Sequence, residues 1–269
     1  MKIYFAGGES ASLVQILQSE GVKRALFSFA NKDIRMGADK LDTFEEVLLD
    51  SGAFAEERSV VTPEYYALWL RLHLDRYKNI VGYFNLDDMD SLKQSIANFD
   101  YLCSEGLKPI PVYHYGEPDE VLDAMASKHE YVGLGGIAVG SYPTKVIRSW
   151  WEGIAKRYPA HRFHLLGTNA MELFWEYQPF SLDNTSWVKN EAFGITLLEV
   201  DGKPTISHML SRREGIRHFF TRQEVLRNNV RATLHWETLE WLSQYHEERA
   251  RPRQVGMFGS AVNGKEPSV

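Results

Sequence analysis

Three aspartates and one histidine follow short apolar runs, at positions where buried strands would end. Asp50 follows the apolar segment Val47–Leu49 and precedes a Ser-Gly turn, and Asp87, His114 and Asp183 follow later apolar segments. Carboxylates and imidazoles are the usual side chains for nucleophilic and acid–base chemistry. If the strands are parallel, their carboxyl ends meet at one edge or mouth, and these four groups would form one site.

Other polar groups and two glycine turns fall at the same kind of position. Ser28, the pair Gly135–Gly136 and Gly167 each end a predicted strand. This clustering turns scattered residues into a hypothesis about a site. For Asp50 taken alone, the residues leave open that it caps the helix beginning near Thr62 or binds its own turn.

The elements that must position these groups are eight short apolar segments that mostly alternate with helical patterns. The predicted strands are Lys2–Ala6, Arg24–Phe29, Val47–Asp50, Ile80–Leu86, Pro109–Tyr113, Tyr131–Leu134, Arg162–Leu166 and Phe180–Leu182. Such alternation predicts an α/β fold with a parallel sheet, and eight units predict a closed (β/α)₈ barrel of the TIM type. The connection over residues 30–46 is polar and poorly helical, so the barrel departs from the ideal pattern there.

The pattern changes after residue 188. Two strand-like segments at 193–200 and 205–208 predict a hairpin around Asp201-Gly202, and a helical pattern runs from Gln223 to about Glu248. We therefore expect a barrel core over residues 1–190, a hairpin and helical extension packed on it over 191–250, and a loosely ordered tail over 251–269.

Composition is that of a globular protein of 269 residues, with 44% hydrophobic and 25% charged side chains. No apolar run is long enough for a membrane span, and we expect neither a signal peptide nor a membrane partner. The single cysteine, Cys103, excludes a cysteine-rich zinc cluster and fits a reducing cytoplasm; its helix-like surroundings predict a core position. Residues 212–269 carry ten Lys+Arg and seven Asp+Glu (+3), whereas residues 1–211 carry 20 and 29 (−9).

Four segments between residues 48 and 187 resemble, in order, motifs of the tRNA-guanine transglycosylases. Asp50–Phe54 is similar to their Asp-Ser-Gly-Gly-Phe motif, and Leu86-Asp87 to their Leu-Asp motif. Gly135–Gly140 is similar to their Gly-Gly-Leu-Ala-Val-Gly turn, and Leu165–Gly167 followed by Asp183 to their final strand pair. That family folds as a (β/α)₈ barrel, so the resemblance implies the fold that the strand count predicts.

The departures from that family point to one of its branches. The tRNA enzymes have a three-Cys, one-His zinc site and an RNA-binding domain that this chain lacks, and His114 stands where they usually have glutamine. A compact form without zinc, and the ending Asp183–Trp187, are most similar to the phage-type enzymes that place 7-deazaguanine bases in DNA. The resemblance therefore implies no metal and no cofactor, and a host cytoplasm if the protein is phage-encoded.

The resemblance also implies a role for each residue. Asp183 would be the nucleophile that attacks the sugar C1′ and displaces guanine, and Asp50 the general acid/base. Asp87 would accept hydrogen bonds from the base, with Asp88 as the competing choice and helix capping as the structural alternative. The other implied base contacts are Ser51, Phe54, His114, Gly135, Gly136 and Leu166. Core packing, a plain strand-to-helix turn and a structural histidine at the barrel end remain the structural alternatives for this set.

The implied partners are DNA, single-stranded or with its base flipped out, and a free 7-deazaguanine base. The candidates for contacts with the DNA backbone are Arg212, Arg213, Arg217, Arg222, Arg227 and Arg231, with a solvated helix surface as the alternative. Three other functions stay open: exchange in tRNA, hydrolysis of a nucleoside or glycoside by the same carboxylate pair, and nucleic-acid binding without catalysis. A homodimer or a partner protein is open as well.

Overall fold

A computed structural model describes residues 1–52, 61–137, 142–168, 177–192, 196–200, 203–208 and 222–235. The strands are β1 (Lys2–Ala6), β2 (Arg24–Ser28), β3 (Glu46–Asp50), β4 (Ile80–Tyr83), β5 (Val112–His114), β6 (Tyr131–Gly135), β7 (Arg162–Leu165), β8 (Ser181–Asn184), β9 (Thr196–Val200) and β10 (Lys203–His208). The helices are α1 (Ala11–Ser19), α2 (Lys32–Met36), α3 (Pro63–Leu74), α4 (Leu92–Ser104), α5 (Asp119–Lys128), α6 (Thr144–Arg157), α7 (Ser186–Ala192) and α8 (Arg222–His235), with a 3₁₀ helix at Ala38–Thr43. Within these ranges no helix is long and apolar enough to cross a membrane.

Eight strands form one all-parallel, curled sheet in the order β4-β3-β2-β1-β8-β7-β6-β5. The two edge strands meet at a parallel bridge between Phe84 and Ile110. The Asn85 N–H donates to the Ile110 carbonyl at 2.9 Å, and the Ile110 N–H donates to the Tyr83 carbonyl at 2.8 Å. The α/β class is confirmed, and the curled sheet is compatible with a TIM-like barrel.

The alternation of side chains along each strand separates two apolar clusters. Leu26 and Leu48 lie side by side in register and belong to a small cluster inside the curl. The next residues, Phe27 and Leu49, belong to the large cluster that also holds side chains of the helices. Because successive side chains point to opposite faces, Asp50 lies on the inner face with Leu48, two residues further along β3.

Four of the described helices, α1 to α4, begin at residues whose side chains cap them. Thr62 accepts a hydrogen bond from the Tyr65 N–H, and Pro63 occupies the first turn of α3, as predicted. Ser10 and Ser91 cap α1 and α4 in the same way. The polar connection over residues 30–46 contains only the short α2 and the 3₁₀ helix, in agreement with its weak helical pattern.

The C-terminal elements follow the predicted order. Strands β9 and β10 pair antiparallel, which confirms the hairpin, and α8 packs against α1 and α7. The predicted continuation of α8 to Glu248 and the predicted tail lie outside the described residues. The helix α7 was not predicted, because its seven residues are too short to show a helical period.

The core position predicted for Cys103 is wrong. Cys103 is exposed on α4. The buried face of that helix is formed by Ser95, Asn98 and Leu102, which follow the spacing of three and four residues. Cys103 lies one residue past Leu102, about 100° round the helix, and therefore faces away from the sheet.

Candidate functional site

The carboxyl ends of the parallel strands gather the predicted polar groups at one place. Asp50 ends β3, and its charge interacts with those of Asp87 and Asp183. His114 ends β5 and hydrogen-bonds with Asp87. His114 also lies in register with Gly135, the last residue of β6. The structure thus brings together the three aspartates, the histidine and the glycine turn that the sequence placed at strand ends.

Asp183 is buried in β8, and its two carboxylate oxygens have different surroundings. Its Oδ1 accepts a hydrogen bond from the Gly167 N–H at 2.7 Å and lies 3.3 Å from the Nε2 of His164. Its Oδ2 has no hydrogen-bond partner among the described residues. One oxygen is therefore anchored while the other is left for an incoming group, which is the arrangement that a positioned nucleophile needs.

His164, which lies in β7 beside Asp183, was not predicted from the sequence. It is fully buried, and its Nδ1 lies 2.7 Å from the Ser181 Oγ and 3.2 Å from the Tyr131 hydroxyl. Because a carboxylate only accepts, the His164 Nε2 must be the nitrogen that donates to Asp183. The chain of hydrogen bonds fixes both the ring and the carboxylate. His164 would have been found only by aligning its inward-facing position with that of Asp183.

Asp50 is half-buried at the tip of β3. Its Oδ2 accepts a hydrogen bond from the Gly52 N–H at 3.0 Å. Burial, together with the negative charges of Asp87 and Asp183, raises the pKa of Asp50 to about 7. A carboxyl with this pKa is present in both protonation states near neutral pH, so it can give and take a proton.

The Ser-Gly turn after Asp50 has a steric reason. Gly52 has a φ of +79°, and a Cβ there would collide with the Ala30 side chain and lie 2.7 Å from the Ser28 Oγ. Only glycine fits this turn, which points the Gly52 N–H back at Asp50. The hydroxyls of Ser28 and Ser51 are buried beside the turn without hydrogen-bond partners among the described residues.

His114 lies between two carboxylates. Its Nε2 is 2.7 Å from the Asp87 Oδ2, and its Nδ1 is 3.3 Å from the Glu117 Oε1. Glu117 also accepts from the His114 backbone N–H at 3.0 Å. Burial opposes the charged imidazolium, but the hydrogen bonds and charges of Asp87 and Glu117 outweigh it and raise the pKa of His114 to about 9. His114 is therefore a cation at neutral pH, and both ring nitrogens are occupied.

Helix α4 holds the Asp87 loop from the outside. The Asn85 Nδ2 donates to the Ser95 carbonyl at 2.9 Å, and the Asn98 Nδ2 donates to the Leu86 carbonyl at 2.7 Å. Asp88 turns the other way and accepts from the Asp90 N–H at 2.9 Å, in a turn that leads into α4. Of the two adjacent aspartates, Asp87 therefore belongs to the site and Asp88 has the local structural role.

The glycine turn lies against His114. A Cβ on Gly135 would be 3.0 Å from the His114 Cδ2, and a Cβ on Gly136, whose φ is +83°, would be 3.1 Å from the Tyr115 N. Leu166 follows β7, is half-buried and packs against the inner cluster. Phe54, the other predicted wall of the base site, lies outside the described residues.

A fourth carboxyl, Glu9, lies beside the site after β1 and was not predicted. It is almost fully buried, and its Oε1 accepts from the Ser28 N–H at 3.4 Å. Burial raises its pKa, and its charge acts on Asp50. A Glu in a Gly-Gly-Glu-Ser loop gives no signal of this kind, because only the register of β1 and β2 brings it to Ser28.

The described arginines of the predicted DNA-contacting set lie away from these carboxylates. Arg227 and Arg231 pair with Glu20 at 3.3 and 2.6 Å, and Arg222 pairs with Glu191 at 3.2 Å. Glu20 caps the end of α1, which runs back from the carboxyl end of β1, so Glu20 lies at the amino end of the sheet. Arg212, Arg213 and Arg217 lie outside the described residues.

Neither a metal site nor a relative adds to this geometry. Among the residues that the structure describes, no group of three or more His, Cys, Asp and Glu side chains is arranged to hold a metal ion. A scan against models of known protein families finds no match, and a search of curated proteins finds none either.

Proposed function

We propose that this protein is a transglycosylase that exchanges guanine in DNA for a 7-deazaguanine base through a covalent aspartyl-glycosyl intermediate. The observation that carries the proposal is the pairing of two unlike carboxyls at one mouth. Asp183 has one oxygen anchored by Gly167 and His164 and the other without a hydrogen-bond partner in the described part of the chain, whereas Asp50 has a pKa of about 7. A nucleophile and an acid/base of matched properties are the minimum that base exchange requires.

The reaction needs two displacements at C1′ of the deoxyribose. In the first, the free oxygen of Asp183 forms a bond to C1′, the bond from C1′ to the guanine nitrogen breaks, and Asp50 protonates the departing guanine. In the second, the incoming base gives a proton to Asp50, its nitrogen attacks C1′, and the bond to Asp183 breaks. Asp50 ends protonated and Asp183 ionised, so the cycle closes with no redox change.

We infer that Asp87 and the residues around it bind the base. Guanine and its 7-deaza relatives present an N–H and an amine side by side, and a carboxylate accepts both. The Asp87 Oδ2 already accepts from the cationic His114, which orients the carboxylate. We propose that His114 acts through Asp87, because both of its nitrogens are occupied, while Ser51, Gly135, Gly136 and Leu166 surround the base.

The proposal also extends to the fold and the setting. We infer that the bridge between Phe84 and Ile110 closes the sheet into a (β/α)₈ barrel, whose mouth holds the site. A base in a duplex does not reach such a mouth, so the DNA must be single-stranded there or have its base flipped out. We infer that the protein acts on DNA in a cytoplasm.

The test is incubation of the protein with guanine-labelled DNA and free 7-cyano-7-deazaguanine, followed by digestion to nucleosides and mass spectrometry. We expect a deazaguanine deoxynucleoside and release of labelled guanine. Asp183→Asn, which keeps the acceptor for the Gly167 N–H, should abolish both. A covalent protein–DNA species should accumulate when the incoming base is left out.

Parallel arms separate the other functions. Labelled tRNA should give no product; product in tRNA alone would assign the protein to the tRNA reaction. Release of guanine without incorporation would indicate a hydrolase on the same carboxyl pair. Binding of DNA with neither release nor incorporation, over a panel of 7-substituted deazaguanines, would reduce the protein to a nucleic-acid-binding subunit.

A further inference from the structure

Three aromatic side chains form a cluster on the rim of the mouth, on the β5 and β6 side. The rings of Tyr115 and Tyr142 lie with their centroids 4.7 Å apart, and Tyr115 meets Trp150 edge-on at 5.4 Å. Tyr115 directly follows His114, and its N–H donates to the Gly135 carbonyl at 3.0 Å. The cluster is therefore tied to the same two strand ends that hold His114 and the glycine turn.

The outermost ring of this cluster is open to solvent. Tyr142 is 40% exposed, whereas Tyr115 and Trp150 are half-buried beneath it. Tyr142 packs against Tyr115, which in turn packs against Trp150, so the outer ring is already held in place and a flat ligand that stacks on it loses little further freedom. The first turn of α6 follows at once; it has no acidic residue, and its Lys145 is exposed.

These features suit a single strand of nucleic acid. Exposed aromatic rings beside a cation are the usual platform for unpaired bases, since every base has a π-face and each nucleotide adds a negative phosphate. The arginines of α8 that the structure describes pair with acidic residues, two of them at the opposite end of the sheet. The aromatic cluster, in contrast, is joined through Tyr115 to His114, which bonds to Asp87.

We propose that Tyr142, supported by Tyr115 and Trp150, is a stacking subsite for the base next to the one that enters the mouth. The inference rests on the proposed function for its position along the strand. It goes beyond that function because it names a second nucleotide contact. The ring stacks without reading the sequence, so the subsite would fix the strand and leave the choice of base to Asp87.

The test measures binding alone, by fluorescence anisotropy with a short labelled DNA strand that contains one guanine. Tyr142→Ala should raise the dissociation constant about 5- to 150-fold, the range that corresponds to the loss of one stacked base. Tyr142→Phe should bind like the unchanged protein. Tyr65→Ala is the matched control, because Tyr65 is also 40% exposed and rests on one aromatic ring, Phe29, but lies on α3.

A strand that lacks the base beside the guanine sharpens the result. The abasic strand should bind the unchanged protein as weakly as the full strand binds Tyr142→Ala, and the two changes together should add no further loss. The proposal of a stacking subsite would be overturned if the losses in binding from the abasic strand and from Tyr142→Ala added fully. It would also be overturned if Tyr142→Ala bound like the unchanged protein, or if the unchanged protein did not bind the strand. An equal loss on the matching RNA strand would support it, because the ring does not read the sugar.

The two proposals fail separately. The anisotropy measurement needs neither the incoming base nor turnover. A protein that shows no exchange but whose strand binding depends on Tyr142 would contradict the transglycosylase proposal and support the stacking subsite. An active protein whose binding ignores Tyr142 would do the reverse.

Discussion

Strand β3 carries two carboxyl groups, one at each end, whose surroundings and pKa values differ. Glu46 and Asp50 lie four residues apart on the inner face of the same strand. Glu46, at the amino end, accepts from the Lys2 Nζ at 2.9 and 2.8 Å and from the Tyr4 hydroxyl at 2.8 Å, with the Arg24 Nε at 3.6 Å. Asp50, at the carboxyl end, accepts one backbone N–H.

The partners of the two groups shift their pKa values in opposite directions. Burial opposes the charge of Glu46, but the hydrogen bonds from Lys2 and Tyr4 and the nearby cations hold its pKa below the usual value. Burial and two further carboxylates raise the pKa of Asp50 to about 7. The amino end is a charge network in which Glu46 is paired with cations and stabilises the fold, whereas Asp50 at the carboxyl end accepts one backbone N–H and faces the charges of further carboxylates.

Asp50→Asn should have the largest effect of these changes: it should lower the rate of exchange and raise the stability of the fold at pH 8. The amide keeps an acceptor for the Gly52 N–H but cannot transfer the proton, so exchange should fall about 10²- to 10⁴-fold. The folded state binds the Asp50 proton more tightly than the unfolded chain. The stability from this group is therefore present below about pH 4 and lost as the pH rises to about 7. Thermal unfolding should show Asp50→Asn more stable than the unchanged protein at pH 8.

Well below pH 4 the melting difference between Asp50→Asn and the unchanged protein should disappear, because Asp50 is then protonated in both the folded and the unfolded state. A variant that is less stable at pH 8 than the unchanged protein would show that Asp50 has a stabilising partner and would break the comparison. The rate of exchange itself should rise and fall around pH 7 in the unchanged protein.

Glu46→Gln should have the opposite signature. It removes the acceptor of Lys2 and Tyr4 and should lower the free energy of unfolding at pH 7 by about 1–3 kcal/mol. Because the folded-state pKa of Glu46 is depressed, its stabilisation is present above the unfolded-state pKa and fades as the pH falls through the folded-state pKa. Denaturant unfolding at pH 7 and pH 3 measures this difference, with Glu45→Gln on the exposed face as control. Equal losses at both pH values would contradict it.

The strand ends could be read from the sequence because each rests on a local rule. An apolar run followed by a polar residue and glycine located Asp50, and Thr62-Pro63 located the start of α3. The eighth strand was predicted at Phe180–Leu182, but β8 begins at Ser181 and extends two residues further, to Asn184. The polar pair Asp183-Asn184 hid the end of that strand, since buried polar residues break the apolar pattern that the prediction followed.

The partners of the site residues could not be read in this way. His164 reaches Asp183 from the neighbouring strand, Glu9 reaches Ser28 from another loop, and Arg231 reaches Glu20 over more than two hundred residues. Each contact depends on strand register or on helix packing, which no local pattern records. The charge balance of the C-terminal part was correct as a count, but Arg227 and Arg231 face Glu20 and not the mouth.

His164→Phe tests whether the hydrogen bond from the His164 Nε2 to the Asp183 Oδ1 contributes to the attack by Asp183. Phenylalanine fills the buried position but donates nothing, so of the donors that the structure describes the carboxylate keeps the Gly167 N–H alone. We expect formation of the covalent intermediate to slow about 10-fold, the effect of one lost hydrogen bond to a charged group. The KM for the incoming base should not change. Single-turnover trapping measures the step, and Tyr131→Phe, which removes the outer hydroxyl alone, should have a smaller effect. An unchanged trapping rate would show that Gly167 is sufficient.

His114→Gln gives the smallest effect and places His114 relative to the base. The pKa of about 9 means that the imidazolium stabilises the Asp87–Glu117 cluster below about pH 6.5 and loses that contribution as the pH rises through 9. In the unchanged protein the KM for the incoming base should therefore rise several-fold above about pH 9. His114→Gln should remove that rise and raise KM slightly at pH 7.

The double variant His114→Gln, Asp87→Asn distinguishes two roles for His114: orienting the Asp87 carboxylate or contacting the base directly. If His114 acts through Asp87, the His114→Gln change should add nothing once Asp87 is neutral, because the carboxylate that it orients is gone. If His114 touches the base directly, the two losses in KM should add. We expect no additivity, since the Asp87 and Glu117 oxygens occupy both ring nitrogens, and a nitrogen bonded to a carboxylate is not free for a base.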